Sequence, residues 1–196
     1  LQEISTTINK MATEMDKQRF KQNGQKLRQQ KKEIDMKREE ELSRVSNQIP
    51  ISPIKVIGEL NRLKPDNLFI VDESVTSSKY VHGYLDLDRP NSLIALKGGG
   101  LGYGITAALG AQLGRPADRV VAIIGDGSSL YYIQSIWNAA KLNLPIIFVI
   151  LNNKSYMVLK GGILNLKGES AKRGVFLGMD IDEPPVDFVS VAKGFG

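Results

Sequence analysis

At 196 residues, 42% of them hydrophobic, the chain is long enough for one α/β domain with a substantial core and some chain to spare. The absence of cysteine excludes disulfides and thiolate metal sites, and with His82 as the lone histidine any metal must rely on oxygen, which points to a hard cation. The formal charge of +5 divides into 11 Lys/Arg and 8 Asp/Glu over residues 1–48, with 15 and 13 beyond them, and mixed signs of this kind describe a solvated surface more than a nucleic-acid interface.

No apolar run approaches the roughly 20 residues of a membrane span, and the N-terminus lacks the apolar core of a signal peptide. The expectation is a soluble, cytoplasmic protein with neither membrane nor nucleic acid as partner. Residues 1–49 form a charged segment in which the stretch 14–45 is rich in Lys, Glu, Gln and Arg, nearly free of β-branched and aromatic residues, and interrupted by Asn23-Gly24. They predict a charged helical linker: helix, break, helix. Apolar residues are too sparse for a sustained heptad seam, so a segment lying on a neighbour is favoured over a free coiled coil, and the Lys/Arg run over 26–38 is a solvated helix face. A start at Leu1, without methionine, suggests part of something longer.

Residues 50–196 form the second predicted domain, expected to be truncated at its C-terminus. After Pro53 the pattern alternates: Lys55 to Leu63 helical, "LFIVDE" a strand, "SLIAL" a strand, a Gly-rich turn, "GITAALGAQLG" helical, "VVAIIGD" a strand, "LYYIQSIWNAAKL" helical and "IIFVILN" a strand. Continuous Val/Ile/Leu/Phe runs are the mark of buried parallel strands. The expected fold is an α/β layered domain, its mostly parallel sheet covered by helices on both faces.

Two of those strands stop at short polar clusters, Gly125-Asp126-Gly127-Ser128 and Asn152-Asn153. In a βαβ unit both strands point the same way, so Asp126 and Asn153 reach the carboxyl edge of the sheet, where open α/β folds bind ligands. The Gly-Asp-Gly turn lets backbone approach a ligand, and Ser128 and Ser129 are expected to open a helix whose N-terminus favours an anion. A carboxylate, an amide oxygen and backbone carbonyls suit Mg²⁺ or Ca²⁺, and Mg²⁺ commonly completes its shell with phosphate oxygens. Either cluster alone is a common turn; together, across one strand–helix–strand unit, they are far more specific.

At this point the stretch resembles the signature of thiamine-diphosphate-dependent enzymes, a Gly-Asp-Gly followed one helix and one strand later by Asn-Asn. The runs "SIWNAAKLNLPIIFVILNNKSY", "GGGLGYGITAALGAQLG" and "VDFVSVAKGFG" are similar to the benzoylformate decarboxylase branch of the decarboxylase and acetolactate synthase superfamily, over roughly residues 50–196. The resemblance implies a domain that binds thiamine diphosphate through Mg²⁺. It makes Asp126 and Asn153 side-chain metal ligands and gives the third protein ligand to the backbone carbonyl of Ser155. It puts Gly127, Ser128 and Tyr156 beside the diphosphate, and Ser74 and Thr76 of "DESVTSS" as hydroxyl donors to it. In the Gly-rich loop it implies cofactor contacts by Gly99, whose carbonyl would accept the 4′-amino group, by Gly100, and by Leu101, the apolar prop under a bent cofactor. The family pattern favours a hydroxyl where this chain has Val75, and an aromatic substrate would want rings near Ala95 and Gly162, where there are none.

The Gly-rich loop fits a dinucleotide fingerprint poorly, because Ile105 stands at the sixth position and no acidic residue closes the next strand at the right distance. His82 is expected at the surface or in packing. Trp137, Tyr132 and Ile136 are expected in the core or at a subunit contact. The resemblance also implies a catalytic glutamate on a separate pyrimidine-binding domain, generally from another subunit of a homo-oligomer, and nothing in this chain matches that domain. The expectation is therefore half of an active site, inactive alone, from a lyase that decarboxylates a 2-oxoacid. The alternatives are the same half of an acetolactate-synthase-like carboligase and a non-catalytic interaction module.

Overall fold

A computed structural model describes residues 2–95 and 97–196. The chain divides into two compact units, Leu1–Ser52 and Pro53–Gly196, so the boundary falls three residues beyond the expected 49/50. In the first unit, α1 (Gln2–Met11) and α2 (Glu14–Arg44) separate at Ala12-Thr13 and not, as the sequence suggested, at Asn23-Gly24. The Thr13 hydroxyl accepts the Asp16 N–H at 3.2 Å while the Asp16 carboxylate accepts the Thr13 N–H at 3.0 Å. This reciprocal cap fixes where α2 starts. One glycine inside a helix costs only about 1 kcal/mol, which the surrounding Lys, Gln and Arg outweigh, so α2 runs straight through Gly24. Pairs one turn apart, such as Lys17–Glu14 and Lys31–Asp35, give it the solvated surface that its composition implied.

The second unit runs α3 (Pro53–Leu63), β1 (Leu68–Glu73), α4 (Ser78–Tyr84), β2 (Leu93–Ala95), α5 (Tyr103–Gly114), β3 (Arg119–Gly125), α6 (Asp126–Ser129), α7 (Ile136–Lys141), β4 (Ile147–Leu151), α8 (Met157–Leu166), α9 (Glu169–Arg173) and α10 (Phe188–Gly194). Leu96, expected to close β2, lies outside the described residues. All four strands are parallel, in the order β2-β1-β3-β4. Because side chains alternate along a strand, Leu68, Ile70, Val121 and Ile123 pack on one face with Ile57 of α3 and Val81 of α4. Phe69, Val71, Val120, Ala122 and Ile124 pack on the other with Ile105 and Ala108 of α5. Helices therefore cover both faces of an all-parallel sheet, as expected.

This strand order positions the site. From β1 the chain crosses to β2 on one side, then returns to β3 on the other, so the order reverses between β1 and β3. Loops leaving the carboxyl ends of these neighbours part there and open a crevice.

The helix expected over 130–142 is interrupted. Asp126–Ser129 is a single turn, residues 133–135 form a 3₁₀ turn, and only then does α7 begin. Ser128 and Ser129 thus lie within a one-turn helix and do not open a long one. Ile136 joins the core cluster, whereas Tyr132 and Trp137 are each 48% exposed.

At the opposite edge, Arg89 ties the loop before β2 to the loop before β3. Its guanidinium donates to both Asp118 carboxylate oxygens at 2.9 Å and to the Leu68 carbonyl at 3.2 Å. The Arg89 hydrogen bonds hold the Asp118 carboxyl below its ordinary value, with Arg115 adding to the effect. A depressed carboxyl stabilises the fold above the unfolded value and loses that contribution as pH falls through the folded one. Asp118→Asn is therefore expected to lower the melting temperature at neutral pH, the difference from wild type closing in strongly acidic solution. Thermal unfolding followed at both pH values checks this.

Candidate functional site

Each wall of the crevice comes from a different strand end. After β1, Ser74–Ser77 turn across the opening; Gly125 ends β3 and Asp126–Ser128 follow it; after β4 come Asn153, Ser155 and Tyr156; and Leu101 enters from the Gly-rich loop before α5. Among the residues singled out from the sequence, Ser74, Thr76, Leu101, Asp126, Gly127, Ser128, Asn153, Ser155 and Tyr156 line this one cleft. Gly99 and Gly100 do not; they lie in the exposed turn leading to Leu101, where Gly98 and Gly99 adopt positive φ of 76° and 74°.

Asp126 is 3% exposed. One carboxylate oxygen accepts the Gly127 N–H at 2.9 Å and the other accepts the Ser155 N–H at 3.3 Å. The same Ser155 N–H donates to Asn153 Oδ1 at 3.0 Å. Oxygens of Asp126 and Asn153, 27 residues apart in sequence, thus converge on a single point. In this arrangement Ser155 presents its N–H to both oxygens. Its hydroxyl donates to the Met179 carbonyl at 3.0 Å, and it bridges to Asp180, which pins the loop after β4. Lys154 takes a left-handed φ of 57°, the bend that turns Asn153 and Ser155 back toward Asp126.

Gly127 has a specific reason to lack a side chain. A Cβ there would sit 2.4 Å from Cε1 of Tyr156 and 3.2 Å from Cδ1 of Ile181. The tyrosine ring therefore rests directly on the backbone of the Gly-Asp-Gly turn, and burial pushes its phenol above the ordinary value. Of the two hydroxyls expected to serve as donors after β1, Thr76 is exposed. Ser74 is buried and already donates to Asp72 Oδ1 at 2.6 Å, so its proton is engaged within the protein.

The donor set suits a hard divalent cation: a charged carboxylate and an amide oxygen meet, with no soft or nitrogen ligand. Among the described residues no three His, Cys, Asp or Glu side chains gather as a metal cluster, so a cation here would complete its shell from backbone, water or ligand oxygens. His82 sits outside the cleft, 54% exposed in its side chain, with Nε2 at 3.8 Å from Asp72 Oδ2. No helix among the described residues is long and apolar enough to cross a membrane.

One buried acid beside the cleft was not among the residues singled out from the sequence. Glu73, the last residue of β1, is fully buried behind the cleft. Its carboxylate accepts the N–H groups of Gly102 at 2.7 Å, Tyr103 at 3.2 Å and Gly104. Burial raises its carboxyl above the ordinary value, against the pull of those three N–H groups. The signal was present: two acids closing an otherwise apolar strand.

Fold and cleft together define a doubly wound α/β protein with an oxygen-lined cleft at its switch point. Residues 74–196 match the thiamine pyrophosphate enzymes, C-terminal TPP binding domain. The chain belongs to this family. It is 34% identical over 149 residues to benzoylformate decarboxylase of Pseudomonas aeruginosa, covering 75% of this chain and 26% of that one. Acetolactate synthase isozyme 3 large subunit of Escherichia coli is 32% identical over 111 residues, 56% of this chain and 19% of its own length. Among solved structures, the thiamine diphosphate-dependent 4-hydroxybenzoylformate decarboxylase of Rhodococcus jostii RHA1 superposes with a TM-score of 0.67 at 35% identity, over 74% of this chain and 26% of that one. The chain thus spans about a quarter of the length of these decarboxylases.

Proposed function

We propose that the chain is the diphosphate-anchoring half of a thiamine-diphosphate-dependent 2-oxoacid decarboxylase of the benzoylformate decarboxylase type. The reading rests on one observation above all, the convergence of Asp126 and Asn153 oxygens at the crevice between β1 and β3. Asp126, Asn153 and Ser155 would hold Mg²⁺, with Ca²⁺ an acceptable substitute. Gly127, Ser128, Thr76 and Tyr156 would border the diphosphate, and Ser74 would shape the turn that presents Thr76. Gly99 and Gly100 would meet the far end of the cofactor, with Leu101 beneath it. When bound, thiamine diphosphate supplies the carbon nucleophile and electron sink for decarboxylation. The protein's share is orientation, charge neutralisation and exclusion of water. The other wall, with the family's glutamate, would come from the pyrimidine-binding domain of another subunit in a homo-oligomer.

The lack of an aromatic side chain at Ala95 and Gly162 favours a smaller aliphatic 2-oxoacid over a benzoyl substrate, and keeps the carboligase reading alive. Thiamine-dependent CO₂ release from pyruvate, branched 2-oxoacids and benzoylformate, measured on this domain together with a pyrimidine-binding domain, tests the assignment. Mg²⁺-dependent aldehyde release supports a decarboxylase. Acetohydroxyacid products establish the carboligase instead, and no thiamine-dependent product refutes both.

Leu101 and the metal site are made by different loops, so their effects should separate. In that assembled enzyme Leu101→Ala is expected to lower turnover by about tenfold or more while the dissociation constant for Mg²⁺ and diphosphate stays within about twofold. Parallel turnover and binding measurements check this; equal loss of both would contradict the division of roles.

A further inference from the structure

Two acids end β1 side by side, and the alternation of the strand sends them to opposite faces. Asp72 faces the α4 side and holds the turn after β1 through the Ser74 N–H at 2.9 Å and the Ser74 hydroxyl at 2.6 Å. Glu73 faces the α5 side and takes the N–H groups of three consecutive residues at the start of that helix. These are the unpartnered donors of a helix N-terminus, and the helix dipole favours a carboxylate there.

The local sequence is built around this contact. Gly102, with φ of 93°, turns its N–H toward the carboxylate, and a Cβ on it would collide with the Tyr132 ring at 2.3 Å. At Gly104 a Cβ would lie 2.8 Å from Glu73 Oε2 and 2.9 Å from Glu73 Cβ. Glycine at both positions lets the helix end descend onto the strand end. Leu101 immediately precedes this clamp, and Ser74 immediately follows Glu73 in the chain. The two loops that line the cleft from the β1 side are therefore joined by one buried side chain.

We propose that Glu73 is a positioning residue that locks the Gly98–Leu101 loop to the Ser74–Ser77 turn, so that ligand held at one orders the other. Its functional meaning rests on the reading of the cleft given above; its mechanical meaning does not. Glu73 touches no ligand. It acts by fixing where Leu101 stands relative to the diphosphate turn, a relation that sequence-distant loops would otherwise leave loose.

The test compares wild type with Glu73→Gln in the 196-residue chain by residue-resolved amide exchange, with and without Mg²⁺ and inorganic pyrophosphate. Glutamine preserves shape and one acceptor but turns an NH₂ group toward backbone N–H donors. Without ligand, exchange of residues 98–101 is expected to rise about tenfold or more, although none of these amides bonds to Glu73, since the lost bonds are charge-assisted. Acceleration confined to 102–104 would make Glu73 a helix cap only and overturn the proposal. With Mg²⁺ and pyrophosphate, wild type is expected to gain protection at both 74–77 and 98–101, and Glu73→Gln at 74–77 alone. Protection at both segments in the variant would overturn the coupling. Absence of any protection in wild type would count against the cofactor reading, while the unliganded comparison still decides the role of Glu73. Should Glu73→Gln unfold, Gly104→Ala, which wedges the same contact without removing the charge, is read in the same two ways.

Discussion

Replacing Asp126 by alanine is expected to weaken thiamine diphosphate binding by about 100-fold or more in the enzyme assembled with its pyrimidine-binding domain. Losing a group that merely orients a metal ligand typically costs 10- to 100-fold, and Asp126 would be a charged ligand itself. Its carboxylate is also the point where the turn after β3 and the loop after β4 are tied together, through the Gly127 and Ser155 N–H groups. Alanine removes both effects, so Asp126→Asn is the sharper probe: it keeps an acceptor for Gly127 and removes the charge. Asn153 Oδ1 still receives the Ser155 N–H in either variant, which keeps the loop after β4 in place. Calorimetric titration with Mg²⁺ and cofactor should show the loss in both variants, with melting temperature lowered mainly in Asp126→Ala. Unchanged cofactor affinity in Asp126→Asn would overturn the metal assignment.

What the sequence disclosed follows from which forces act locally. β1 was legible to the residue because six apolar and acidic positions, Leu68–Glu73, are all buried between two helical layers and had to read as one run. Asp126 and Asn153 were legible because a parallel sheet forces successive strand ends to one edge. The helix over 130–142 is interrupted because Gly125 and the Asp126 turn set a one-turn helix whose direction the apolar pattern of Ile133 and Ile136 does not encode. The break at Ala12-Thr13 was written in Thr13 and Asp16, a cap pairing that a search for Gly and Pro passes over. Glu73 is visible in the sequence as an acid ending an apolar strand, but its partners are the backbone N–H groups of Gly102, Tyr103 and Gly104, and a backbone partner leaves no pattern in side-chain chemistry.

The 196-residue chain by itself is expected to release no CO₂ from 2-oxoacids above the cofactor's own background, even with saturating Mg²⁺. Its cleft encloses only about 40 Å³, far less than the roughly 300 Å³ or more of sites that bury an organic ligand. Only the metal and diphosphate end of the cofactor would meet these walls, and its ring systems would be left uncovered. The neighbouring surface has the character of a wall awaiting its counterpart: Tyr131 is 53% exposed beside half-exposed Tyr132 and Trp137, and the Gly98–Gly100 turn is open. Each apolar square ångström left uncovered forgoes roughly 25 cal/mol, so the loss of one face of the cofactor's rings, on the order of 100 Å², is worth about a hundredfold in affinity. On the function proposed above, proton transfer at the cofactor would also lack the glutamate that the resemblance places on a separate domain. Purified chain with excess thiamine diphosphate and Mg²⁺, assayed on pyruvate, benzoylformate and a branched 2-oxoacid, reads this directly. Addition of a pyrimidine-binding domain should then restore turnover, and steady thiamine-dependent turnover without it would mean that the chain completes its own site, with a base supplied from within residues 1–196.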